Sequence, residues 1–343
     1  MKIVTASFVA LLGATSLAMA PGLAMAQAVP ANYPASYADM LGKAKTEGKV
    51  VLYSNMSANQ WKPFVELAAK TYPWMTIEAT DSGDEMWEKY YAESSSRAPT
   101  ADLMLTTSVD RWVQFAEKGE VALYETPELS ALPGWSIPIP GVYTVSTDPF
   151  IMVYNKHLIA ANDAPKSRQD VLNLLKKRPD LKGKITTMDP VSNSSGLGVY
   201  WRVTQARPEE WALLEGMGSA IRPERSAGTV REKLVSGEYS IALLTSGGGI
   251  PQFERPEIKA IVTWLYPSDG VPLSMRNIAI TKAAPHPNAA RVFLDLLLSR
   301  EGSIAMGKGG QTPYRSDIKA ADVPYDTYTT LKDKPVSYTH LTL

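Results

Sequence analysis

Four short turns carry residues suited to holding a small polar solute without bonding covalently to it. They read Tyr53-Ser54-Asn55-Met56-Ser57, Leu105-Thr106-Thr107-Ser108, Val191-Ser192-Asn193-Ser194-Ser195-Gly196 and Leu244-Thr245-Ser246-Gly247-Gly248-Gly249. All are built from hydroxyls, amides or glycine, and none contains Lys or Arg. Each lies near the end of an apolar strand-like run or just before a helix-like one. A helix start offers unpaired backbone N–H groups and the positive end of the helix dipole, so neutral donors there can meet an oxyanion. A single turn of this kind reads as plain helix capping. Four in one chain point to a cleft that takes a small anionic or polar ligand.

The candidate donors are Ser54, Asn55 and Thr107 from the first half of the chain, with Ser194, Ser195, Gly196, Ser246 and Gly247 from the second. Arg276 can pair with a phosphate or carboxylate, or form an ion pair within the protein. Tyr266, beside Pro267, is the preferred aromatic wall of the cleft. Trp61, Trp201 and Trp264 also fall near turns or strand ends, where core packing is the default use of a large ring. Asp81, Asp84 and Glu85 cluster before a helix. They would suit a cationic solute such as a polyamine, or simply favour the helix dipole. A reactive constellation is missing: there is no Cys, no His-Glu-x-x-His, and no Walker, Gly-x-Ser-x-Gly or calcium-loop pattern. His157 and His286 read as structural or exposed. The chain is expected not to be an enzyme and to need no metal or cofactor.

The elements that must position these turns alternate between strand and helix. Strand-like runs at Lys49–Ser54, Met75–Ala79 and Asp102–Leu105 alternate with helical patterns at Trp61–Tyr72, Glu85–Ser94 and Arg111–Glu117. That order implies a parallel sheet with flanking helices, and ligands sit at the carboxyl ends of such strands. A Pro-rich stretch follows, and extended segments at Val142–Thr147 and Ile151–Tyr154 flank Asp148-Pro149 as a crossover. A second series places strands at Ile185–Met188, Ser240–Leu244 and Ile258–Leu265, with helices at Val171–Lys176, Leu197–Gln205, Pro208–Met217 and Val230–Val235. Leu273–Ile280 reads as a return crossover, and Pro287–Leu298 and Arg300–Met306 as closing helices. The expected division is a first lobe of residues 27–145 plus 275–310 and a second of 146–274 plus 311–334. Two lobes joined by two crossovers make a hinge that a ligand would close.

Composition sets the compartment. Lys2, the apolar run Ile3–Leu17 and the small-x-small site Ala24-Met25-Ala26 read as a secretory signal over residues 1–26, giving a mature start at Gln27. The absence of Cys means no disulfides and no lipid attachment at that site, as expected of a soluble periplasmic protein. Without Lys2 the chain holds 34 basic against 35 acidic residues, which gives no general attraction to nucleic acid or anionic membrane. The last residues, 335–343, continue no periodic pattern and read like translated sequencing adapter; they are set aside.

Several segments together carry a family likeness: Val50-Val51-Leu52-Tyr53-Ser54, Ser96-Arg97-Ala98-Pro99-Thr100-Ala101-Asp102-Leu103, Val153-Tyr154-Asn155-Lys156, Ala284 to Phe293, Leu298-Ser299-Arg300-Glu301-Gly302 and Pro313-Tyr314-Arg315. In their order and spacing the chain resembles family 1 extracellular solute-binding proteins of ABC importers. It lies near the branch that includes binders of ferric iron and of phosphorylated or phosphonate organic ligands. The resemblance implies a hinged, two-lobed type II periplasmic-binding-protein fold of class α/β. It implies a monomer that delivers a small molecule to a membrane permease, or presents it to a chemoreceptor or sensor kinase. Iron binders of the family place a His, an acidic residue and a Tyr pair where this chain has Ser57, Thr107 and Gly247-Gly248. A hard ferric ion needs anionic oxygens or imidazole, so iron is not expected. The accessory anion seat of the iron binders is matched by Ser194-Ser195-Gly196. The expected solute is a small organic anion bearing a phosphate, phosphonate or carboxylate. A periplasmic hydrolase on an α/β scaffold is the alternative of a different class.

Overall fold

The computed structural model describes residues 29–332. The expected signal segment, the start at Gln27 and the 335–343 tail lie outside the described residues. The first half runs α1 (Tyr37–Glu47), β1 (Lys49–Ser54), α2 (Ala58–Thr71), β2 (Thr76–Asp81), α3 (Glu85–Ser95), β3 (Leu103–Thr106), α4 (Val109–Glu117) and β4 (Val142–Asn155). The middle continues with α5 (Arg168–Lys177), β5 (Ile185–Met188), α6 (Ser194–Ala206), α7 (Glu210–Gly218), β6 (Ile221–Glu224), α8 (Ala227–Val235) and β7 (Ile241–Ser246). Short helices α9 (Ile250–Phe253) and α10 (Pro256–Lys259) precede β8 (Val262–Leu265) and β9 (Leu273–Ile280). The chain closes with α11 (Pro287–Leu298), α12 (Arg300–Lys308) and α13 (Tyr328–Lys332).

The strands form one continuous path in the order β2-β1-β3-β9-β4-β7-β5-β6, with β8 added to β4. Pairing is parallel within β2-β1-β3 and within β6-β5-β7, the two α/β series the alternating pattern implies. All pairs made by β4 and β9 are antiparallel. β4 joins the two halves. Its residues up to Pro149 pair with β9, and from Phe150 onward it pairs with β7 and β8. Irregular register between Thr144 and Ser146, and again between Ile151 and Val153, bends the strand as it passes from one half to the other. The two extended segments expected around Asp148-Pro149 are thus one strand. Pro149 is tolerated because it sits where β4 changes partners.

Burial follows the patterns that made the elements. All four residues of β3 are buried, and α11 opens with Pro287 at its first turn and buries Phe293 against Phe64 and Trp61. Full burial of such a side chain contributes roughly 1.5–3 kcal/mol. The first lobe is packed around this cluster, and the second around Val153, Leu234 and Val262 on one sheet face and Met152, Ile185 and Met217 on the other.

Two expectations need correction, and two elements are additions to the sequence pattern. Ile258–Leu265 is not one strand: Pro256 opens the short helix α10, and only Val262–Leu265 is extended. Helix α1 and strand β6 have no counterpart in the sequence reading; β6 carries Arg222 and Pro223, so it lacks an apolar alternation. The described part of the segment expected in the second lobe, residues 311–332, packs against both halves. Tyr314, Tyr328 and Leu331 pack in the first-lobe core, while Tyr325 packs against the second. Among the described residues, no helix is long and apolar enough to cross a membrane.

Candidate functional site

The carboxyl ends of the six parallel strands converge on one cavity of ≈ 520 Å³ between the two halves. From the first lobe come Asn55 and Ser57 after β1, Asp81 and Ser82 at β2, and Thr107 after β3. From the second come Met188 and Ser195 around the start of α6, Arg225, Ser226, Gly228 and Arg231 around the start of α8, and Ser246 and Gly248 after β7. Asp148, Phe150, Ser274 and Arg276 of the connecting strands complete the wall.

Five of the ten expected site residues line this cavity: Asn55, Thr107, Ser195, Ser246 and Arg276. The other five do not. Ser54 is fully buried; its Oγ accepts from Trp61 Nε1 at 3.0 Å and donates to the Thr80 carbonyl at 2.8 Å, so it ties β1 to β2 and α2. Gly247 is required by a close approach: a Cβ there would lie 2.5 Å from the Pro149 carbonyl oxygen. Tyr266 turns away and donates its hydroxyl to Asp326 at 2.6 Å, with its ring edge-on to Trp264. Trp61 is core, Trp201 is exposed on α6, and Trp264 donates to Glu254, so none of the expected rings walls the cleft. Phe150 supplies the aromatic surface instead.

Ser194 and Gly196 do not line the cavity, and the protein itself engages the α6 start. Asn193 caps α6 by accepting from Gly196 N at 2.9 Å. The Asp84 carboxylate, from the opposite lobe, accepts from Ser194 N at 3.1 Å and Ser194 Oγ at 2.7 Å. Its other oxygen accepts from Ser108 Oγ at 2.8 Å. The protein therefore places its own carboxylate on the helix start that the sequence reserves for a ligand. Thr107 and Ser195 share a short hydroxyl contact beside it, and Gln60 Nε2 donates to the Gly248 carbonyl at 2.9 Å. These contacts hold the lobes together. Of the acids suggested for a cationic ligand, Asp84 is thus engaged by the protein, whereas Asp81 and Glu85 border the cavity.

Arg276 reaches the cavity as a committed cation. It is 4% exposed, and its Nε lies 3.1 Å from Asp148 Oδ2 and 3.0 Å from Gln311 Oε1. Its Nη1 bonds to Asn55 Oδ1. Among the described residues the pair Asp148–Arg276 cancels locally, leaving Arg276 Nη2 without a hydrogen bond.

The start of α8 is a second helix terminus on the cavity, and the sequence reading passed over it. Ser226 caps it, accepting from Thr229 N at 3.1 Å. Arg225 precedes the cap and Arg231 follows one turn later; neither forms an ion pair among the described residues. Desolvation lowers the Arg231 pKa, the Glu232 charge opposes it, and the like charge of Arg255 adds to the lowering. A partly desolvated guanidinium with no carboxylate in hydrogen-bonding contact is primed for an anion. The run Arg225-Ser226-Ala227-Gly228 was visible as a cap next to a cation. It went unread because β6, which delivers it, has no strand pattern.

Backbone strain marks the last turn. Leu244 has φ of 45°, a region rare for a non-glycine residue, and is buried against Phe150, Val199 and Val203. The conformation costs about 1–3 kcal/mol. It sits where β7 falls out of register with β4, immediately before Thr245-Ser246-Gly247 enters the cleft wall. Among the described residues, no group of three or more His, Asp or Glu side chains is placed to hold a metal ion.

Comparison with known proteins fits this geometry. Residues 54–304 match the family model of bacterial extracellular solute-binding proteins. The substrate-binding protein of an ABC transporter from Agrobacterium tumefaciens is similar in structure, with TM-score 0.78 at 18% identity over 85% of this chain and 88% of that one. Periplasmic binding protein AfuA from Actinobacillus pleuropneumoniae, solved with fructose-6-phosphate bound, gives 0.67 at 18% identity over 84% and 91%. Iron-bound HitA from Pseudomonas aeruginosa gives 0.66 at 19% identity over 82% and 91%. No curated protein matches the chain by sequence. With the family match spanning most of its length and both halves of its cleft, the chain belongs to the bacterial extracellular solute-binding proteins.

Proposed function

We propose that the protein captures a small organic anion, bearing a phosphate, phosphonate or carboxylate, in the cleft between its lobes and delivers it to an ABC permease. The carrying observation is the α8 start, where Ser226, Gly228, Arg225 and Arg231 open onto the cavity and, among the described residues, neither arginine forms a salt bridge. A helix N-terminus flanked by two guanidinium groups binds oxyanions through charge-assisted hydrogen bonds of about 1.5–3 kcal/mol each. Lobe closure on the β4 and β9 strands brings Asn55 and Thr107 to the same solute. The protein works from the periplasm as a monomer, releases its solute unchanged, and is open to a chemoreceptor or sensor by the same closed state. Among the structural neighbours AfuA is seen with a sugar phosphate and HitA with iron, so the reading rests on this chain's own cleft residues. The expected ferric ligands are replaced here by Ser57, Thr107, Gly247 and Gly248, which cannot neutralise Fe³⁺.

Native mass spectrometry of freshly purified protein tests the proposal. A retained solute carrying a phosphoryl, phosphonyl or carboxyl group is the expected result. A retained polyamine, or turnover of the retained compound on incubation, would contradict it.

A further inference from the structure

The two walls of the cleft carry opposite charge. Asp81 and Glu85 border the cavity from the first lobe, and Arg225 and Arg231 from the second. Asp148 and Arg276, between them, already form a pair at 3.1 Å. Among the described residues none of the four wall charges is paired with another, although the lobes touch at Asp84–Ser194 and Gln60–Gly248. Among the described residues Glu85 is engaged only by the Gly83 N–H, through Oε1 at 2.8 Å. Desolvation raises the Asp81 pKa, opposed by the charge of Arg276.

A solute of one sign cannot satisfy such a cleft. A simple anion answers Arg225 and Arg231 and is repelled by Asp81 and Glu85, and a polyamine has the reverse problem. We infer that the solute is a zwitterion, a deduction that rests on the anion seat at α8. Its anionic group lies at Ser226, Gly228 and the two arginines, and an ammonium or other cationic group points toward Asp81 and Glu85. Asn55, Ser57 and Ser246, between the walls, serve the polar middle of the molecule, with Phe150 and Met188 as apolar contacts. Charge separation then acts as a filter: each wall rejects the solutes that would satisfy the other alone.

The test is calorimetry on the full chain with three matched series of two to four carbons: aminoalkyl phosphates, alkyl phosphates and alkylamines. At least one aminoalkyl phosphate is expected to bind about 10- to 100-fold more tightly than its alkyl phosphate, the yield of one added charge-assisted contact. In the isosteric variant Asp81→Asn/Glu85→Gln that advantage should disappear while alkyl phosphate affinity holds or rises. Equal affinity of the two phosphate series in the unmodified protein would overturn the zwitterion and leave the anion seat standing. Binding of alkylamines alone would overturn both. Failure of every aminoalkyl phosphate to bind would overturn the zwitterion for this range of lengths, and the retained solute's own charge, read by mass spectrometry, would then decide the anion seat separately.

Discussion

The starts of α6 and α8 are two versions of one device in the same lobe. Each follows a strand of the parallel set, and each is capped by its own side chain, Asn193 for α6 and Ser226 for α8. They differ in what faces them. Asp84 crosses from the other lobe to the α6 start and engages both the backbone and the hydroxyl of Ser194. Among the described residues no carboxylate crosses to the α8 start, and two arginines stand beside the cap. The same dipole therefore holds the lobes together at one helix and is left open for a solute at the other. A helix start becomes a binding site only if the rest of the protein does not fill it.

The largest effect expected from this contrast is on affinity. Arg225→Ala/Arg231→Ala should weaken binding of the retained solute about 10²- to 10⁴-fold, from two charge-assisted contacts of roughly 1.5–3 kcal/mol each. Calorimetry reads it, and a loss under about fivefold breaks the contrast at its α8 side. The next effect belongs to α6. Asp84→Ala removes the cross-lobe carboxylate and should raise the solute dissociation rate about tenfold through a less populated closed state. Stopped-flow release measures the rate, and a larger radius of gyration in X-ray scattering should accompany it. Unchanged release and radius would mean that Asp84 does not hold the lobes.

Glycine substitutions sharpen the same comparison at smaller magnitude. A Cβ at Gly196 would lie 2.8 Å from the Asp189 carbonyl oxygen, whereas at Gly228 it would meet only Ser226 Oγ at 3.6 Å. Gly196→Ala should therefore cost about 1–3 kcal/mol of stability by overpacking a helix start. Gly228→Ala should leave the unfolding midpoint nearly unchanged and act on solute affinity instead. Chemical denaturation beside calorimetry separates the two. A stability loss at Gly228 as large as at Gly196 would refute the difference in crowding.

The smallest effect lies away from both helices and serves as a control. Burial raises the Asp295 pKa to about 6, despite the hydroxyls of Tyr124 and Tyr37 that donate to it. The folded protein then holds that proton more tightly than the unfolded chain does. Its contribution to stability is present in full below the unfolded carboxylate range and is lost as pH rises through about 6. Asp295→Asn should flatten this part of the stability profile without moving solute affinity. An affinity change would couple the first-lobe core to the cleft.

Much of the fold was legible in the sequence, because period and punctuation agreed. The apolar run of β3, the proline opening α11 and the strand β9 at Leu273–Ile280 all appear where pattern places them. β6 was illegible because Arg222 and Pro223 interrupt it, and with it went the turn that bears Arg225 and Ser226. The cleft was only half legible for a different reason. Asn55, Thr107, Ser195, Ser246 and Arg276 could be nominated by type and place, but engagement is a tertiary property. Ser54 looks like a donor until Trp61 and Thr80 are seen to occupy its hydroxyl, and Ser194 until Asp84 does.

The most direct test is a crystal structure of the protein purified with its retained solute. The anionic group should lie at the α8 start, within hydrogen-bond distance of the backbone near Gly228 and of the Arg231 guanidinium, with Asp84 still on Ser194. An anionic group seated on Ser194 and Ser195, with Asp84 displaced, would contradict the account.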